Sequence, residues 1–401
     1  MSNIGGSKSF VRLLKETSFA YFFGLGGIFA GFMVASYLGI FDLAPWTFAL
    51  YPVLISAKGV TGGLLSGRLS TALHLGTVRP NFFNNTQTFY TLLAALIVLT
   101  LATSLTISLF SLVFGQLFWG LTVVEFPGII LVVVATMSMG LLLSFITINI
   151  AFVSFKKGSD PDIVVYPIMS TVSDIFITAC YVFVLTLYFY GDIGNFFLLL
   201  ISASVIFAAL YVGLKNFHDK DFVKTIKESL VTMIFVAFMV NITGTVLLGI
   251  RTFVENRKEI YTIYPALIGM IGNVGSVVGS TATTKLALGL LSPSFSSIKR
   301  HINSILSAWG ASLFMFIILA FLSLILNGLF SISSLYRFIS VLFLTNIFSV
   351  LAIVLLTYSI SILTFKKGLD PDNFVIPIES SFADLITSIA LLASLLLIGL
   401  S

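Results

Sequence analysis

The sequence predicts an all-α polytopic membrane protein of about eleven transmembrane helices, two parallel five-helix repeats joined by an adapter helix. Three observations predict it. First, the 401 residues are 58% hydrophobic and only 9% charged, with a mean hydropathy of +1.10. Ordinary soluble domains carry about 25% charged residues, so 21 basic and 16 acidic side chains do not cover a water-exposed surface of this size. Second, the apolar residues gather into runs long enough for the ~20 residues that a spanning helix needs. Third, the second half of the chain repeats motifs of the first. The 40 Phe, 13 Tyr and 3 Trp suit lipid-facing and interfacial positions. A net charge of +5 does not imply a nucleic-acid partner, because the basic residues lie between apolar runs and read as topology determinants.

The first apolar run, Thr17 to Phe41, is too long for a secretory signal core of ~7–15 residues and is read as a span. The predicted spans are 13–41, 47–76, 87–114, 126–155, 162–190, 195–215, 226–253, 260–289, 300–328, 333–365 and 372–400. Several are long enough to tilt or protrude. Spans 47–76 and 260–289 are broken by Gly and polar residues, which makes them candidates for discontinuous helices. The single cysteine, Cys180, sits inside an apolar run and reads as a small buried hydrophobe.

With the N-terminus in the cytoplasm, the inside loops hold fourteen basic residues, Lys156, Lys157, Lys366 and Lys367 among them. The outside loops then hold four: Arg251, Arg257, Lys258 and Arg337. That imbalance predicts a multi-pass cell-membrane protein with a cytoplasmic N-terminus and an external C-terminus.

Lys156-Lys157-Gly158-Ser159-Asp160-Pro161-Asp162, then Pro167 and Asp174, returns as Lys366-Lys367-Gly368-Leu369-Asp370-Pro371-Asp372, then Pro377 and Asp384. The block at 51–76 likewise matches that at 264–289. Each repeat holds five spans, an odd number, so two directly joined copies would be inverted. The span 195–215 returns the chain to the inside and makes the copies parallel, a pseudo-dimer in one chain. The predicted domains are 1–191, 192–225 (adapter and cytoplasmic linker) and 226–401.

Acidic residues inside spans cost about 2.5–3.5 kcal/mol each on insertion scales and mark function by default. Asp174, Glu379 and Asp384 qualify. Asp174 and Asp384 each lie fourteen residues beyond Asp160 and Asp370, ~21 Å along a helix at ~1.5 Å per residue, near the bilayer midplane. A pseudo-two-fold can bring them together, and facing carboxylates in low dielectric need a cation or proton between them. Ser170, Thr171, Ser380 and Ser381 accompany the two aspartates on the ion path, although such hydroxyls can instead bond back to their own helix. Oxygen-only ligands favour Mg²⁺ or Ca²⁺, and few carboxylates with room for water favour Mg²⁺.

Asp160, Asp162, Asp370 and Asp372 stand at helix starts, where they cap or attract ions at the inner mouth. Glu379 faces Met169 in the repeat alignment. Its alternatives are an ion pair with Lys58 or Lys285, or a second ion or proton site. Arg68 and Lys285 are expected to snorkel. Lys58 lies deeper, a tethered cation near the path. His74, His218 and His301 form no ligand spacing and are expected at the interface.

These blocks, with Tyr264-Pro265-Ala266-Leu267-Ile268-Gly269-Met270 and Gly272-Asn273, resemble the membrane domain of MgtE-type magnesium transporters, fused in tandem as in their eukaryotic solute-carrier relatives. The resemblance covers both repeats. It implies five-helix units paired around a central pore, Asp174 and Asp384 as the ion site, Asn273 as a further residue of the path, and Mg²⁺ as cargo with no cofactor. The family's cytoplasmic CBS portion is absent from this sequence. Lys58-Gly59-Val60 replaces Ile271-Gly272-Asn273 in repeat one, so the halves are expected to contribute unequally. Alternatives are an Na⁺- or H⁺-coupled exchanger and, from another class, an intramembrane aspartyl protease. The latter's Gly-x-Gly-Asp setting is missing at both Asp174 and Asp384.

Overall fold

Backbone inside a bilayer has no water to bond to, so apolar runs of this length close their hydrogen bonds as helices. The computed structural model bears this out. It describes residues 13–399 apart from 16, 20, 158–160, 255–256, 288 and 368–371, with no strand among them. The helices are α1 (Leu13–Ser36, with a 3₁₀ turn at Phe23–Gly26), α2 (Pro45–His74), α3 (Gln87–Phe118) and α4 (Val123–Lys156, interrupted at Leu141). They continue as α5 (Pro161–Phe189), α6 (Asp192–Asn216), α7 (Lys220–Val254) and α8 (Lys258–Ala287). The last three are α9 (Ile298–Leu326), α10 (Ile332–Lys366) and α11 (Asp372–Ile398). Among the described residues, 10 helices are long and apolar enough to cross a membrane. The remaining predicted span falls on α2, 30 residues long, which carries Lys58 and Arg68.

The interruptions expected in 47–76 and 260–289 are not found. Both α2 and α8 run unbroken through an internal proline, Pro52 and Pro265. A proline removes one hydrogen bond from the ladder and leaves those on either side intact. Of the glycines in these two helices, Gly275 receives a close approach from Glu379, whereas Gly62 and Gly269 have open space around them.

Two compact units form, and they cut across the sequence repeats. One comprises Met1–Ser36 and Gly249–Ser401, the other Tyr37–Leu248. In the first, α8 is the central helix, packed by α1, α9, α10 and α11. A Cβ on Gly31 of α1 would lie 2.1 Å from the Thr262 carbonyl oxygen of α8, so only glycine permits this approach. In the second unit α2 is packed by α3, α4 and α5. There a Cβ on Gly244 of α7 would lie 2.2 Å from the Ala49 carbonyl oxygen of α2. Gly244 and Ala49 are the repeat counterparts of Gly31 and Thr262. Each repeat thus lends its first helix to the bundle that holds the other repeat's remaining helices.

Helix α6, the predicted adapter, packs on α3, α4 and α5, yet only 17% of its most apolar stretch is buried. Phe196, Leu200, Phe207 and Leu214 stay exposed on it. That is a lipid-facing surface.

Candidate ion site

Asp174 lies on α5, directly across from α2, and the register of these two helices decides its partner. Tyr51 of α2 meets Thr178 of α5 at 3.2 Å. The Thr178 hydroxyl donates to the Asp174 carbonyl oxygen at 2.6 Å, which commits its only proton. Tyr51 is therefore the donor to Thr178. The same relay recurs in the other unit: Tyr264 of α8 donates to Ser388 of α11 at 2.7 Å, and Ser388 donates to the Asp384 carbonyl at 2.7 Å. A buried tyrosine thus fixes the helical turn that carries each aspartate.

Seven residues beyond Tyr51, on the same helix, Lys58 reaches the same turn. Its ammonium donates to Asp174 Oδ1 and, at 3.1 Å, to the Ser170 carbonyl oxygen. The two side chains are only 11% and 12% exposed. Lys58 thus forms an ion pair with Asp174 of its own unit. Lys285, the other partner considered for Glu379, donates to His301 Nδ1 at 3.1 Å and to Ser304 at 3.0 Å.

Glu379 is 2% exposed, and its Oε1 has no hydrogen-bond partner. It sits against α8 at Gly275, where a Cβ would lie 2.4 Å from Oε1. Only a residue without a side chain leaves that carboxylate room. The Tyr21 hydroxyl of α1 is buried without a partner as well, and it lies within electrostatic range of Glu379. Asp384, half-buried, also interacts electrostatically with Glu379. Asn273 is half-buried, with its amide nitrogen against Gly24 of α1.

The other candidate residues divide. Ser170 is exposed, Thr171 and Ser380 are half-buried, and Ser381 is buried. Back-bonding is observed at Ser173, which donates to the Met169 carbonyl. Asp160 and Asp370 lie outside the described residues, and of Asp162 and Asp372 only the helical backbone lies within them. Among the described residues no three His, Cys, Asp or Glu side chains converge as a metal-ligand set.

His301 corrects an expectation. It is fully buried, not interfacial. An ammonium can only donate, so His301 Nδ1 accepts from Lys285 and Nε2 carries the proton toward Thr281 at 3.1 Å. This knot ties α8 to α9 where a surface residue was expected. Arg68 is exposed as expected and donates to the Thr225 hydroxyl. The sequence reading missed the Tyr51 and Tyr264 relays. Their signal was present: both tyrosines open the duplicated 51–76 and 264–289 blocks, and Thr178 and Ser388 stand four residues beyond each aspartate.

A helical, lipid-facing chain with buried carboxylates on two duplicated helices defines the class of polytopic membrane transport proteins. A family model described as MgtE, divalent cation transporter, matches residues 51–184 and again 264–394. The chain belongs to that family, and the two matched regions fit the internal repeat. No curated protein and no solved structure matches the chain. The family is one of transporters rather than enzymes, and the aspartyl protease alternative gains no support from it.

Proposed function

We propose that the chain carries Mg²⁺ across the membrane as a single-chain pseudo-dimer, past the duplicated carboxylates Asp174 and Asp384. The observation that carries this reading is the duplication itself. In a divalent cation transporter family, an acidic residue recurs at the same depth of the fifth helix in each repeat, where the insertion cost of about 2.5–3.5 kcal/mol needs a functional reason. The matching tyrosine relays support it, since both repeats spend a buried hydrogen bond on the turn that holds the aspartate. A mostly hydrated Mg²⁺ suits a path with few carboxylates. The N-terminus is placed in the cytoplasm and the C-terminus outside, on the distribution of basic residues.

A second reading, Na⁺- or H⁺-coupled exchange, is favoured by one observation: the buried Glu379 carboxylate with an unpartnered oxygen. The experiment that tests both is Mg²⁺ uptake into proteoliposomes with and without Na⁺ and pH gradients. Uptake that follows the Mg²⁺ gradient and membrane potential alone supports a channel, and uptake that requires either gradient supports the exchanger. Absence of uptake under every condition would remove the cation-transport reading.

A further inference from the structure

The two repeats open on the same basic pattern. Lys8, Phe10, Val11, Arg12 and Lys15 recur in register as Lys220, Phe222, Val223, Lys224 and Lys227. A topology signal needs positive charge on one side of the membrane, but it does not need that charge at a fixed spacing. Positions four and three apart fall on one helix face, so α7 begins with a stripe of three lysines, all of them exposed. We propose that this lysine face, together with the end of α6, binds the headgroup phosphate of an acidic phospholipid. The site is independent of which ion the chain carries.

Lys220, Lys224 and Lys227 line one open pocket of about 500 Å³, with Phe217, His218 and Asp219 beside them. Asp219 is the only acidic residue of that lining, and its oxygens are already engaged. Oδ1 accepts the backbone N–H groups of Asp221 at 2.9 Å and Phe222 at 3.2 Å, and Oδ2 accepts the Thr91 hydroxyl at 3.1 Å. The lining therefore stays basic, three lysines against one aspartate. The residues between the lysines anchor the segment. Phe222 is buried against Ala94 and Ala95 of α3, and the buried Thr225 accepts from Arg68 of α2.

A phosphate group reaches such a pocket either on a lipid or free in solution. Helix α6 favours the lipid. Phe207, Leu210, Leu214 and Phe217 follow one another at intervals of three and four and are all exposed. They form an apolar stripe along a candidate span that ends at Asn216, and Phe217 carries the stripe into the pocket. Acyl chains lying on that stripe bring a headgroup to the lysines. Each lysine close to an anionic headgroup layer strengthens the attraction roughly fivefold.

The test uses the full chain in liposomes, with Phe217→Trp as reporter and the signal of the parent's own tryptophans subtracted. Quenching by brominated phosphatidylglycerol is compared with quenching by brominated phosphatidylcholine at equal mole fraction. The acidic lipid is expected to be preferred by roughly tenfold or more, and the combined Lys220→Gln, Lys224→Gln, Lys227→Gln variant to bring the ratio close to one. Lys157→Gln, Lys366→Gln and Lys367→Gln remove three exposed lysines from the same side of the membrane, outside the pocket; together they should leave the preference almost unchanged. Should Phe217→Trp disturb the pocket, retention of the two lipids by the parent and by each triple variant, counted by native mass spectrometry, decides. The proposal is overturned if the two lipids quench alike. It is equally overturned if the control triple lowers the preference as much as the pocket triple, which would reveal only a general surface charge. Displacement of the acidic lipid by millimolar inorganic phosphate or glycerol 3-phosphate would also overturn it, because the pocket would then take a free anion.

Discussion

Removing either partner of the Lys58–Asp174 pair should destabilise the protein far more than removing both. The side chains are 11% and 12% exposed, so water screens their attraction poorly. An exposed pair would contribute about 0–1 kcal/mol, whereas breaking a buried pair from one side costs about 3–5 kcal/mol because the other charge is stranded. Lys58→Met and Asp174→Asn are each expected to lose that amount. The double variant strands nothing, and replacing a buried pair as a whole is often close to neutral. The measurement is a double-mutant cycle by denaturant unfolding in detergent, with chelator present so that no divalent ion substitutes for the ammonium. A non-additive cycle in which the double variant recovers most of the loss is expected. Losses that simply sum would show that the two groups do not depend on one another, and the ion pair would then carry no argument about the site.

Four further expectations follow from the packing and the charge distribution. Gly31→Ala and Gly244→Ala each place a Cβ near 2.1 and 2.2 Å from a carbonyl oxygen, so each should cost about 1–3 kcal/mol or more in unfolding experiments, while Gly269→Ala, with open space around it, should not. Tyr264→Phe removes the donor to Ser388; it should lower stability by about 0.5–1.5 kcal/mol and reduce Mg²⁺ flux through the turn bearing Asp384. His301→Leu strands a Lys285 donor and the Thr281 hydroxyl, and a loss of about 1–3 kcal/mol is expected in the same assay. Cysteines introduced at Ser334 and at Asn84 should label from outside and only after permeabilisation, respectively, with an impermeant maleimide; Cys180 is buried and contributes little background.

Hydropathy and length were enough to locate the helices, because a bilayer leaves the backbone few alternatives. Duplication was enough to single out Asp174 and Asp384. The partner of Asp174 was hidden for a physical reason: Lys58 lies 116 residues away in sequence, and which acid it meets depends on the register of α2 against α5. The fate of His301 was hidden similarly, since a residue near a span's edge reads as interfacial until a neighbouring helix covers it. The exchange of first helices between bundles is likewise illegible in the sequence. Gly31 and Gly244 announce a close approach, but each repeat offers an equivalent carbonyl, Thr262 or Ala49, and the sequence does not choose between them. The loss of discontinuity in α2 and α8 has the opposite lesson. Of the glycines that suggested a broken helix, Gly275 lets Glu379 come close, while Gly62 and Gly269 have open space around them.

The most direct test of the central claim compares Mg²⁺ influx into liposomes bearing the parent chain with influx through the Asp174→Asn, Asp384→Asn double variant, at matched protein incorporation. The parent should carry Mg²⁺, and the double variant should fall to the level of protein-free liposomes. Equal influx through both would mean that the duplicated carboxylates do not serve the ion, and the account given for them would be wrong.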